Sequence, residues 1–194
     1  MELLEDIKFF NRTNKIPINC IREAVLQHGL FEHVLDENAP LTTERVDVLN
    51  KINNDIYKRN DYASFVAEVA KNKRAEFLTP YTVEEFKKHN VQTFQVEGYE
   101  IGFALKPIGN GDMDIISVHN NTDIRGIGEA LIDSAIRLGG TTLDHFDGFL
   151  SDFYSKKGFK EIDRYKWNPA YAPQNWDYEK YNTPDVVLRR LDRK

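Results

Sequence analysis

Three stretches carry residue types that could do chemistry. The first runs Ser117-Val118-His119-Asn120-Asn121-Thr122-Asp123-Ile124-Arg125-Gly126-Ile127-Gly128. It closes an alternating apolar run, crosses a polar loop and opens an apolar-periodic helix on two glycines one residue apart. Such a turn points several backbone N–H groups at one spot, where the helix dipole favours an anion. Glycine also lets a phosphate approach the backbone closely. Alone, a G-x-G at a helix start reads better as a tight turn with no ligand. The second stretch, Phe153-Tyr154-Ser155-Lys156-Lys157-Gly158-Phe159, follows after one more strand. A phenol there can donate a proton to a leaving group or pack its ring into a core. The third, Leu143-Asp144-His145-Phe146-Asp147-Gly148, puts two acids and a histidine at a strand end. A carboxylate there can orient an ammonium or take its proton, while Asp147-Gly148 also reads as a simple turn and cap. Glu100, Asp114 and His119 are further candidates for a base.

These stretches need a frame. Before residue 77 the chain reads as helical: an amphipathic segment at 2–10, a helix behind Pro17, one from Thr43 to Tyr57 with Val46, Leu49, Ile52 and Ile56 as its stripe, and one from Tyr62. Thr82 with Glu85 is a capping box opening Val83 to His89. The period then becomes two. Phe94 and Val96, then Tyr99 to Leu105, then Met113 to Val118 form an antiparallel meander, with Asn110-Gly111 as a hairpin signal. The helix from Gly126 stops at Gly139-Gly140. A strand (Thr141 to Phe146), a short helix (Phe149 to Lys156), a strand (Phe159 to Trp167), a loop over 168–183 and a last strand (Pro184 to Leu191) complete an order of β-β-β-α-β-α-β-β.

Composition narrows the class. The chain has 194 residues, 41% hydrophobic and 29% charged, the balance of a globular protein. No apolar run reaches the length of a membrane span, and the N-terminus lacks a signal-peptide pattern. With the single Cys20 no intramolecular disulfide forms, so a cytoplasmic location is expected. The five histidines are scattered, so no metal site is expected. A net charge of −5 argues against nucleic acid as the main partner. The cluster Lys71, Lys73, Arg74 reads as a solvated helix end.

The glycine turn and the later F-Y-x-K-x-G-F-like segment, in this order after a meander, resemble the GCN5-related N-acetyltransferases. The resemblance covers about 91–167 well, with 78–90 as a shortened start. It implies an α/β fold with a mixed central sheet, in which 77–194 is the acyltransferase domain and 1–76 a helical N-terminal extension. It implies acetyl-coenzyme A as co-substrate. The pyrophosphate would lie on Arg125, Gly126, Ile127 and Gly128, with Val118 and His119 at the end of the strand that pairs with pantetheine. Tyr154 would be the general acid, with Asp144 or Asp147 toward the acceptor. Asp123 stands where the family usually has Arg or Gln, and Ile124 where it often has Gly; Arg125 could supply the missing charge. A looser similarity links the chain to acetyltransferase-like proteins of phages and mobile elements.

Two readings follow. One is N-acyl transfer to an amine on a small molecule or protein, with a homodimer as a possible assembly. The other is a binding or accessory protein on a catalytically degenerate version of the fold, acting through a protein partner. Tyr165, Trp167, Tyr171, Trp176, Tyr178 and Tyr181 either wall an acceptor pocket or form the core under the long loop, the second reading being favoured for most of them.

Overall fold

The computed structural model describes residues 42–174 and 176–192. The helices expected at 2–10 and behind Pro17 lie outside the described residues. Helix α1 (Thr43–Asn54) begins where the Thr42 hydroxyl accepts the Arg45 N–H at 3.1 Å. It ends in Asn53-Asn54-Asp55, a run of weak helix formers. The helix expected to reach Tyr57 therefore stops short, and Tyr57–Arg59 instead forms a strand, β1. It pairs antiparallel with β2 (Gln92–Gln95). Three residues are too few for an alternation to show in sequence.

Helix α2 (Tyr62–Ala70) is capped by Asp61, and α3 (Val83–Lys88) by the Thr82–Glu85 box. Strands β3 (Ile101–Gly109) and β4 (Asp112–Asn120) turn at Asn110-Gly111, at φ 52 and 76. Then come α4 (Gly128–Arg137), β5 (Thr142–Phe146), α5 (Phe149–Lys156) and β6 (Phe159–Tyr165). The long loop holds a 3-10 turn, Pro169–Tyr171, and the short helix α6 (Tyr178–Tyr181), and β7 (Val186–Leu191) closes the chain.

The sheet order is β1-β2-β3-β4-β5-β7-β6, with β7 inserted between β5 and β6. Only β4 and β5 run parallel, and only one pair of them is in register, Asp114 with Thr142. Beyond it no further ladder pair joins the two strands.

Alternation sorts the core into two layers. Phe94, Val96, Ile101, Phe103, Leu105 and Ile115 face α1 and α4. Ala104 and Ile116, one residue out of phase, face Phe65, Val69 and Phe86 of α2 and α3. Val48, Leu49 and Ile52 of α1 are at most 5% exposed and belong to the first layer. Each such aliphatic side chain contributes about 1.5–3 kcal/mol on burial. Hydrogen bonds from Ser134 and Arg137 to the Ile52 carbonyl tie α1 to α4. Residues 43–76 thus share one core with the strands that follow. Among the described residues, no helix is long and apolar enough to cross a membrane, and no group of three or more His, Cys, Asp or Glu could hold a metal ion.

Candidate functional site

The glycine turn is built by its own polar side chains. Asn120 donates to the Ile124 carbonyl at 2.7 Å and accepts from the Thr122 N–H and hydroxyl. Asn121 donates to the Glu68 carbonyl and to Glu100. Gly126 sits at φ 71, the left-handed region that a side chain resists. Its carbonyl accepts from the buried Arg45 of α1 at 3.4 Å. No side chain caps α4, so its first N–H groups keep their donor capacity toward whatever occupies the turn. A Cβ on Gly128 would meet only open space, so internal packing does not demand a glycine there.

The acid at 123 is not a bare charge. Lys73 reaches Asp123 at 2.7 Å, both side chains being well exposed. Lys73 holds the Asp123 carboxyl below its ordinary range, with Arg125 adding to the effect. The turn after α2 is held here because Asn72 donates to the Asn120 carbonyl and the Asn121 side chain. The basic cluster 71–74 was legible, but nothing in the sequence says that it folds back beside the glycine turn.

Val118 is half-buried and packs against the first core layer. His119 points the other way. It is 2% exposed, its ring meets Phe65 edge-on, and Nδ1 lies 3.1 Å from the Ser117 carbonyl. Nε2 lies 3.8 Å from Glu68, beyond hydrogen-bond reach, and has no hydrogen-bond partner among the described residues. Burial pushes its pKa down, so the ring is neutral at neutral pH. Ser117, at φ 52, interrupts the strand locally. His119 therefore supports the turn from behind instead of facing it.

Tyr154 lies on α5 and packs against the first core layer. Its ring packs on His145 at 5.1 Å, on Phe153 at 5.1 Å and on Phe159 at 6.0 Å. Burial, with the Asp144 charge, pushes the phenol up to about 12, so it keeps its proton. His145 is closed to proton transfer. Nε2 accepts from Arg189 at 2.9 Å, which makes Nδ1, 2.8 Å from the Phe146 carbonyl, the donor.

The two acids of this segment part company. Asp144 and Phe146 share the face of β5 opposite Leu143. Asp144 retains open surface. Neighbouring protein atoms nevertheless strip hydration from its carboxylate and raise its pKa, against a smaller opposing pull from Lys106. Asp114 across the strand pair is raised by the same cause, with the Asp144 charge adding to it. Lys106 also lies over the Tyr81 ring at 5.1 Å, and Tyr81 is pushed up to about 12 by burial and these acids. Asp147, by contrast, accepts from the Ser151 hydroxyl at 2.6 Å, from the Gly148 N–H and from Arg164. These bonds pull it down to about 2. Asp147 braces the turn into α5 and is a poor proton acceptor; Asp144 lies on the other face of β5 from His145 and Tyr154, and its charge adds to the raised pKa of the phenol.

No family model matches the sequence, and no curated protein matches it. Among solved structures, 32 chains match. An acetyltransferase of Bacillus subtilis in complex with CoA superimposes at a TM-score of 0.50 and 13% identity, over 72% of this chain and 98% of that one. The chain has the GCN5-related N-acetyltransferase fold. Below that score stand a GNAT family acetyltransferase from Elizabethkingia anophelis with acetyl-CoA bound (TM-score 0.48, 15% identity, 71% and 97% covered) and the N-acetylglutamate synthase of Neisseria gonorrhoeae with coenzyme A and L-arginine. The last gives a TM-score of 0.40 at 19% identity over 71% of this chain, which spans only 34% of that synthase. The looser similarity to phage proteins finds no support in these comparisons.

Proposed function

We propose that the protein is an acetyl-CoA-dependent N-acetyltransferase acting on an amine. The observation that carries the reading is the uncapped α4 start with its two glycines, supported by the single register pair that joins β4 to β5 and by a buried phenol on α5 that stays protonated. Acetyl-CoA would supply an acyl group activated as a thioester.

In this reading, the N–H groups after Gly126 bind the pyrophosphate. Arg125 and Lys73 add the positive field that Asp123 takes away. The resemblance puts the β4 backbone near Val118 along the pantetheine arm. Asp144 holds the acceptor ammonium and takes its proton; its raised pKa makes it a better base than an ordinary carboxylate. Tyr154 donates to the sulfur as negative charge develops there. Residues 77–194 contain every group invoked except Lys73. The non-catalytic alternative was motivated by Asp123; the Lys73 contact offsets that charge and weakens its motive.

The test is isothermal titration of the full chain with acetyl-CoA, with ATP as control, followed by thiol release in the presence of amines. Saturable micromolar binding that exceeds ATP, with thiol release dependent on amine, is the expected result. No binding at millimolar acetyl-CoA would end the reading.

A further inference from the structure

A cavity of about 380 Å³ opens over the last strands, on the face of β5 that carries Asp144. Its walls are Phe146, Tyr165, Trp167, Tyr171 and Val186. Phe146 and Val186 are paired across β5 and β7, and Val186 and Tyr165 across β7 and β6, so the floor is the sheet itself. The wall is held from behind by aromatic packing: Phe146 on Trp176 at 4.8 Å, Trp167 on Trp176 at 4.8 Å, and Phe77 on Trp176 at 5.5 Å. The rim stays open: Tyr171 is 85% exposed and Tyr165 55%. The loop aromatics thus divide between the two roles foreseen: Trp176 is core, while Tyr165, Trp167 and Tyr171 face a pocket.

Three observations select what this pocket takes. Its volume suits one ring system and not a polymer segment. Its wall is aromatic and aliphatic, and the only charged lining residue is Lys166, a cation already paired with Asp185 at 2.8 Å. A polycation would meet Lys166 with no facing carboxylate in the wall. Asp144, two residues before Phe146 on the same strand face, lies about 7 Å from it along the strand, with Asp114 beyond. A ligand with its ring on Phe146 and Trp167 and an ammonium on a short tether spans that distance.

We infer that this pocket binds the acceptor, and that the acceptor is an arylalkylamine: a primary amine on a short alkyl tether from a single aromatic ring system. The inference rests on the acyl-transfer reading for the fate of the amine. The amine gives one proton to Asp144 and attacks the thioester carbonyl. The C–N bond forms, the C–S bond breaks, and the thiolate takes the Tyr154 proton. Amide and free thiol are the products; the second nitrogen proton, shed as the tetrahedral adduct becomes the amide, restores the Tyr154 phenol through water, and Asp144 releases its proton to water.

The pocket can be tested without turnover. Both tryptophans of the chain, Trp167 and Trp176, lie in its wall or directly behind it, so intrinsic fluorescence reports occupancy. Phenethylamine and spermidine are titrated separately into the full chain. A saturable change with phenethylamine and none with spermidine is expected. Val186→Phe, which fills the floor, should weaken phenethylamine at least tenfold, and Tyr171→Ala, at the open rim, about threefold. Acetyl-CoA affinity, read by calorimetry, should stay within twofold for both variants and so show that they fold. A response to spermidine as strong as to phenethylamine overturns the inference, as does unchanged phenethylamine affinity in both variants. Thiol release with spermidine but not phenethylamine keeps the acyl-transfer reading and overturns this one. Phenethylamine binding with no thiol release does the reverse.

Discussion

The Thr142 hydroxyl donates to the Asp114 carboxylate at 2.8 Å, at the single register pair that joins β4 to β5. The same two residues therefore end the ladder between the parallel strands and fix one acid of the site. Asp144 lies one strand repeat further on, beyond that pair.

Tyr154→Phe separates binding from chemistry. The ring packing on His145 and Phe159 survives, so affinity for acetyl-CoA should stay within twofold while kcat falls about 10²-fold, the usual weight of a positioned acid. Calorimetry and thiol release on the same preparation check both halves. Equal turnover would remove the tyrosine from the mechanism.

The two acids should behave oppositely. Asp144 has a raised pKa, so it must lose its proton to act and sets an acid limb of kcat/KM above the ordinary carboxylate range. Asp144→Asn should abolish that limb together with most of the activity. Because folding favours the protonated form, the Asp144 charge lowers stability as pH rises from the unfolded value of 3.8 through the raised one. The Asn variant should therefore unfold at a higher temperature at pH 7. Asp147→Asn should do the reverse, with a lower Tm and a largely retained pH profile, since Asp147 is pulled down to about 2 by Ser151 and Arg164.

Acid should loosen the protein through its buried histidines. His119 and His145 are both pushed below 6.5 by burial. A base with a lowered folded pKa stabilises above its unfolded pKa, and that contribution is lost as pH falls below about 6.5. Urea midpoints should drop between pH 7 and pH 5, and His119→Gln should flatten the drop. A pH-independent midpoint in the parent chain would contradict the burial of both rings.

Gly126→Ala imposes left-handed strain at φ 71, costing about 1–2 kcal/mol, and disturbs the N–H groups that follow. Acetyl-CoA affinity should fall more than stability does. Asp123→Asn should tighten acetyl-CoA binding several-fold at low salt, with the gain shrinking as salt rises. Calorimetry at two ionic strengths checks it.

Much of the fold was legible because its signals are local. The Thr82–Glu85 box, the Asn110-Gly111 hairpin and the period change near residue 90 each specify their own element. The order of elements after residue 91 followed from these, and the roles expected of the glycine turn and Tyr154 came from the family resemblance. What stayed hidden depends on contacts between distant parts of the chain. Lys73 meets Asp123 only because Asn72 docks on Asn120 and Asn121. Asp144 and Asp147 look alike in sequence, and the bonds that Asp147 takes from Ser151, Gly148 and Arg164 on another strand tell them apart. The three residues of β1 carry no alternation to read.

The bond from Arg45 to the Gly126 carbonyl makes α1 and the glycine turn parts of one equilibrium. Linkage is reciprocal: whatever the docked helix adds to affinity at the turn, an occupant of the turn returns to the docking of the helix. Amide exchange along residues 45–52, remote from any reacting atom, should accordingly slow as the turn fills. The stretch ahead of the sheet would then serve as a built-in gauge of occupancy.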